Sequence, residues 1–378
     1  MPTRKKARSP FGVKHEHRVL VLQGGGALGA YQAGVYDGMA EHGFAPDWVA
    51  GVSIGAINAA LIAGNPAERR LERLREFWAR VSSGLPLVAP AQLDPLRLAF
   101  ARLNASAVVA FGVPGFFVPR VPPPFLAPEG STEALSVYDN SPLRATLEEL
   151  IDFDFLNARS GVRLSLGAVN VHTGNSVYFD SKAQAITASH VIASGSLPPG
   201  FAPAVIDGVH YWDGGLVSNS PLWYVLDDSP QLSALIVQVD LFSARGELPA
   251  NLDQVLERAK DIQYSSKTRF NTTRGAELEE LRHALGRLLN KLPAKLRKDP
   301  DFQRLEPLCS SRREITILHL INRRSVDSTS AKDYEFSRSS MQRLWEAGLE
   351  DVRLSCAHRE WQEARALESG VRVFDLTA

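Results

Sequence analysis

The chain has 378 residues, 44% of them hydrophobic and 22% charged, with 42 Lys and Arg set against 42 Asp and Glu. That composition suits a globular protein with a sizeable core, and a net charge of zero excludes a broad, phosphate-driven affinity for nucleic acid. The two cysteines, Cys309 and Cys356, cannot form a CxxC zinc site and allow one bridge at most, so a reducing, cytoplasmic setting is expected.

Residues 1–17 form a basic tail with Arg4, Lys5, Lys6 and Arg8, but no apolar stretch follows to complete a signal peptide. No run approaches the roughly 18 consecutive apolar residues that a membrane span needs, so any meeting with lipid is expected to be peripheral, at a membrane or lipid-granule surface. Arg18 to Gln23 is short, apolar and β-branched and ends in three glycines, which reads as a buried strand. Ala27 to Gly43 reads as a helix, Trp48 to Val52 as a second strand, and Ala56 to Ala63 as a buried helix closed by Gly64. Strand, helix, strand and helix in so short a span imply parallel pairing with helices on the faces, hence an α/β core.

Pro66 to Val81 is an amphipathic helix with Leu71, Leu74, Phe77 and Trp78 on one face. The next segment, residues 84–130, holds nine of the 23 prolines interleaved with five phenylalanines, and reads as an irregular insertion that either packs on the core or forms a lid or acyl-binding wall. Further core strands are expected at Val162 to Val171, Ser233 to Asp240 and Glu314 to Ile321. Between the last two, Gln254 to Arg313 is helical and basic, with 14 Lys and Arg against 8 Asp and Glu. Leu278, Leu281, Leu285, Leu288 and Leu292 make one stripe there, expected to be a packing face beside solvated charge, with a membrane-surface or dimer helix as the alternative.

Two glycine-rich turns carry the chemistry. Gly24-Gly25-Gly26-Ala27-Leu28-Gly29, between a strand and a helix, suits either a dinucleotide pyrophosphate or an oxyanion held by backbone N–H groups. A dinucleotide site wants an acidic residue at the end of the second strand, and Asp47 instead precedes that strand. At the strand's end stands Gly51-Val52-Ser53-Ile54-Gly55, a GxSxG elbow in the strand-to-helix setting that exposes a nucleophilic hydroxyl. A serine needs a base. None of the nine histidines lies in a recognisable catalytic loop, although His283, His319 and His358 follow in the order a histidine triad would want. Trp212-Asp213-Gly214-Gly215 offers a carboxylate on a flexible turn, which alone is also ordinary turn chemistry.

The glycine-rich loop, the GxSxG elbow and the Asp-Gly-Gly turn, in this order and with Ala193-Ser194-Gly195-Ser196-Leu197-Pro198 ahead of the aspartate, resemble the patatin-like phospholipase family over roughly residues 18–245. The resemblance implies a three-layer α/β sandwich with a mostly parallel sheet and, over 246–378, a mainly helical extension like that of some bacterial members. It implies that Ser53 is the nucleophile and Asp213 the base of a Ser-Asp dyad without histidine, cleaving lipid or other acyl esters through an acyl-enzyme with no metal or organic cofactor. Gly24, Gly25, Gly26 and Ile54 are the expected oxyanion hole, and Gly51, Gly55, Gly214 and Gly215 shape the elbow and the turn. One departure is Leu28, where the family often has Arg or Lys; the backbone donors survive, but a cationic contact to an anionic substrate does not. A nucleotide-binding protein using the Gly24 to Gly29 loop, a histidine-triad hydrolase and a silent lipid-binding module remain as alternatives.

Overall fold

The computed structural model describes residues 17–82, 94–158, 161–228, 233–309, 314–323, 330–364 and 370–377. The basic tail expected at 1–17 therefore lies almost wholly outside the described residues, as does the start of the proline-rich segment.

β1 (His17–Leu22) and β2 (Trp48–Val52) flank α1 (Ala30–Glu41), and α2 (Ile54–Ala63) and α3 (Arg70–Val81) follow. α4 (Asp94–Phe111) leads to a small hairpin, β3 (Val118–Pro119) with β4 (Tyr138–Asp139), and then to α5 (Ser141–Leu150) and α6 (Phe153–Asn157). Next come β5 (Arg163–Asn170), β6 (Ser176–Asp180), α7 (Ala188–Gly195), β7 (Ala204–Ile206) and β8 (Val209–Asp213). α8 (Leu222–Asp228) precedes β9 (Ser233–Asp240). The last third runs through α9 (Leu252–Leu289), α10 (Pro300–Cys309), β10 (Glu314–Ile321), α11 (Arg338–Ala357), α12 (Arg359–Gln362) and β11 (Gly370–Phe374).

One sheet organises the molecule, in the order β11, β10, β9, β1, β2, β5, β8, β7, with β6 also on β5. Pairing is parallel from β11 to β5 and antiparallel beyond. Side chains alternate across a strand, and β1 uses both faces. Leu20 and Leu22 join a core with Tyr31, Val35 and Met39 of α1 and Leu61 of α2, whereas Val19 and Val21 meet Leu222, Val225 and Leu226 of α8. Helices therefore cover both faces, which is why these strands are continuously apolar.

Three elements depart from the sequence reading. Proline-rich residues 84–130 are not irregular throughout, because α4 occupies Asp94–Phe111. Pro95 falls in its first turn, where the ring is tolerated, and residues 96–111 lack proline and are rich in Ala and Leu. The leucine stripe is a packing face only in part: Leu278 and Leu285 are half-buried, whereas Leu281, Leu288 and Leu292 are exposed. The last third is mostly helical and, beside the expected strand β10, adds β11 to the sheet, which had no clear signal because Val371, Val373 and Phe374 are its main apolar residues. Among the described residues no helix is long and apolar enough to cross a membrane.

Candidate active site

β2 enters α2 through Ser53, whose φ of 57° and ψ of −127° lie outside the regions a non-glycine residue prefers. Such a residue typically stores about 1–3 kcal/mol of strain that its surroundings must offset. The flanking glycines are required by contact rather than by flexibility. A Cβ at Gly51 would sit 2.3 Å from the Gly55 carbonyl oxygen, and one at Gly55 would sit 2.4 Å from that of Leu22.

The sheet register brings Asp213 to this elbow. Val52 pairs with Gly167 and Asp213 with Ala168, the next residue along β5. The end of α7 then ties the two together. The Ser53 N–H donates to both the carbonyl and Oγ of Ser194 at 3.1 Å, and the Asp213 N–H donates to the Ser196 carbonyl at 3.0 Å. Ser194 Oγ in turn donates to the Gly167 carbonyl at 2.6 Å. Asp213 is 1% exposed, and its Oδ1 accepts from the Gly215 N–H at 2.7 Å. Oδ2 has no partner at full hydrogen-bond geometry, although the Ser53 hydroxyl stands close enough to favour the ionised form. Burial dominates, and it pushes the Asp213 carboxyl up to about 7 against the opposing effects of Ser53 and the Gly215 amide.

The first glycine turn closes the site, with one correction to the expected oxyanion hole. The Gly24 N–H donates to the Asn219 carbonyl at 3.1 Å, so it is not available to a substrate oxygen. Asn219 Nδ2 returns a bond to the Gly24 carbonyl at 3.0 Å, and a Cβ at Gly24 would lie 2.4 Å from Asn219 Oδ1 and 2.9 Å from Ser53 Cβ. Gly24 is thus a packing position. The amides of Gly25, Gly26 and Ile54 make no turn or loop bond among the described residues, and Ile54 opens α2, where N–H groups lack intrahelical partners.

These groups line a cleft of about 900 Å³ including its open mouth. Phe116 and Phe117, from the aromatic segment at 84–130, help wall it with Phe201 and Phe336. No histidine lines it among the described residues: His319 Nε2 instead meets Asp240 Oδ2 at 2.6 Å, and His358 caps α12. The Asp47 carboxylate accepts from the Arg18 N–H at 3.0 Å at the other end of β1 and β2, away from the glycine turn.

Sequence reasoning missed Asn219, Gln23 and the contribution of the last third. Gln23 is fully buried, and its Oε1 accepts from the Leu241 and Phe242 N–H groups at 2.6 and 3.1 Å. A glutamine ending an apolar strand was the available signal, since a buried amide must find partners. Asn219 acts on the turn from two directions. Asn219→Ala is expected to lower kcat about 10- to 100-fold with KM within about twofold, because the amides lose their aim while substrate contacts persist. Steady-state kinetics on a soluble ester would read this, and an unchanged kcat would mean that the turn keeps its shape without the clamp.

A family model described as patatin-like phospholipase matches residues 20–226, and a second, described as patatin phospholipase, matches residues 262–367. No curated protein matches. Among solved structures, VipD from Legionella pneumophila is similar at 16% identity, over 88% of this chain and 67% of that one, with a TM-score of 0.33. The first family model alone spans more than half of the sequence, and the chain belongs to the patatin-like phospholipases, a family of lipid hydrolases.

Proposed function

We propose that the protein is a serine hydrolase of carboxylic esters in which Ser53 is the nucleophile and Asp213 the base. The observation that carries this reading is a buried carboxylate with one unpartnered oxygen beside a strained serine, in a cleft that no histidine lines among the described residues. In the first step Asp213 takes the hydroxyl proton while Ser53 Oγ attacks the ester carbonyl. The tetrahedral oxyanion is held by the amides of Gly25, Gly26 and Ile54, each such donor being worth about 2.7–4 kcal/mol of transition-state stabilisation. Asp213 then gives the proton to the departing alcohol. Water, activated by the same carboxylate, hydrolyses the acyl-enzyme and restores Ser53. Desolvation favours these transfers, because a carboxyl raised to about 7 is a better base than one in its ordinary range.

A fluorophosphonate tests the assignment, since it traps an activated serine covalently. Labelling is expected on the peptide that carries Ser53 and is expected to vanish in Ser53→Ala. Undiminished labelling or ester hydrolysis by Ser53→Ala would overturn the reading.

A further inference from the structure

The cleft has two kinds of lining. One part is apolar, with the rings of Phe116, Phe117, Phe201 and Phe336 packed on one another at centroid separations of 5.4 to 6.4 Å. A second part is polar and comes from the last third of the chain: Tyr264 of α9, and Asp333 and Tyr334 from the segment before α11. That segment lies directly on the oxyanion turn, because a Cβ at Gly26 would be 2.3 Å from the Asp333 carbonyl oxygen. It is tied down by two lysines. Lys260 Nζ meets Asp333 Oδ1 at 2.6 Å and the Ser330 carbonyl at 2.7 Å, while Lys332 Nζ meets Asp261 at 2.6 Å and Glu257 at 3.1 Å. Tyr264 stands within the fields of both Asp213 and Asp333, which, after burial, push its hydroxyl up.

An ester offers two ends to such a cleft. The acyl chain matches the phenylalanine wall, which leaves the alcohol to face Tyr264, Asp333 and Tyr334. Phenol hydroxyls and a carboxylate can exchange hydrogen bonds with alcohol groups. A phosphate there would meet only cations already committed to carboxylates, Lys260 to Asp333 and Lys332 to Asp261 and Glu257. Among the described residues no Lys, Arg or His lines the cleft, its charged lining groups are Asp213 and Asp333, and an unpaired anion taken out of water is costly.

We propose that the last third of the chain builds the alcohol subsite of this hydrolase and selects acyl esters of uncharged, hydroxyl-bearing alcohols, monoacylglycerols among them, over esters whose alcohol carries a phosphate. The proposal rests on Ser53 as the nucleophile. Tyr264 and Asp333 are specificity-determining residues in it, and Lys260 holds Asp333 in place.

The test compares kcat/KM for a monoacylglycerol, a lysophosphatidate and a p-nitrophenyl ester of the same acid in the same neutral detergent micelles. The glycerol ester is expected to exceed the lysophosphatidate by about tenfold or more, and Tyr264→Phe is expected to lower the glycerol ester about five- to tenfold, the scale of one lost hydrogen bond. The same variant is expected to lower the p-nitrophenyl ester less than the glycerol ester, because p-nitrophenolate departs without a hydroxyl contact. Asp333→Asn frees the Lys260 charge and is expected to raise lysophosphatidate turnover about threefold or more. Equal turnover of the two lipid esters, an equal fall of both other substrates in Tyr264→Phe, or no hydrolysis of either lipid ester overturns the proposal. Ser53→Ala separates the two levels: if it retains p-nitrophenyl ester hydrolysis, the nucleophile assignment falls, whatever the selectivity.

Discussion

Asp213→Asn is expected to abolish ester hydrolysis and, above neutral pH, to make the protein more stable. Loss of a general base typically lowers kcat by up to about 10^4-fold, and in a site with one base the upper part of that range applies. The stability gain comes from the same burial that tunes the base. The Asp213 carboxyl moves from an ordinary value of 3.8 to about 7 on folding. Its favourable contribution is therefore complete below about pH 3.8 and is lost as pH rises through about 7, because the folded state must then hold a buried charge that the unfolded chain exposes. At 1.36 kcal/mol per pKa unit, the wild-type protein gives up about 4 kcal/mol by pH 8. Asparagine removes that term and keeps the shape: its Oδ1 still accepts from Gly215, and its amide reaches toward Ser53.

Denaturant titrations at several pH values read the prediction. The variant is expected to match wild type near pH 4 and to exceed it by several kcal/mol at pH 8. Equal stability at both pH values would mean that Asp213 is not held in a desolvated site. In wild type, kcat/KM is expected to rise with pH through about 7, because only the ionised carboxylate can accept the serine proton. A profile flat from pH 5 to 9 would exclude Asp213 as the base.

What the sequence disclosed about the site was local. Ser53 sits in the strand-to-helix bend that its own glycines demand, and the Gly51 and Gly55 contacts join residues near each other in sequence or the end of β1 to the start of α2. Asp213 could be named because its compact turn, in order after the elbow, completes the motif set of the family that the sequence resembles. Asn219 could not, since its partner Gly24 is 195 residues away and neither residue alone implies the clamp. Tyr264 and Asp333 were hidden for the same reason: a tyrosine in a long charged helix and an aspartate in a single helical turn carry no local signature of a cleft. The Leu28 departure also reads differently in three dimensions. Its side chain is packed in the core and does not line the cleft, so the absence of cationic lining is a property of the whole wall rather than of position 28.

A chain ending at residue 245 is expected not to fold, and therefore not to hydrolyse esters. Removing β10 and β11 would strip β9 of a parallel partner and expose Leu235, Ile236, Val237 and Val239, all now buried. Each such side chain is worth roughly 1.5–3 kcal/mol when buried, against a total stability of about 5–15 kcal/mol for a typical domain. α11 would also leave α1, where the two helices cross at glycines. A Cβ at Gly34 would be 1.9 Å from the Trp345 carbonyl oxygen, and one at Gly348 would be 2.1 Å from that of Tyr31. The Tyr31 hydroxyl adds a 2.8 Å bond to Asp351. Because α1 follows the first glycine turn, loss of this contact is also expected to disturb the amides proposed to hold the oxyanion. Gly348→Val tests it within the full-length chain: it must push the helices apart, with an expected loss of about 3 kcal/mol or more in urea denaturation and a lower kcat. A soluble, cooperatively folding and active chain of residues 1–245 would show instead that the last third is dispensable to both the sheet and the turn.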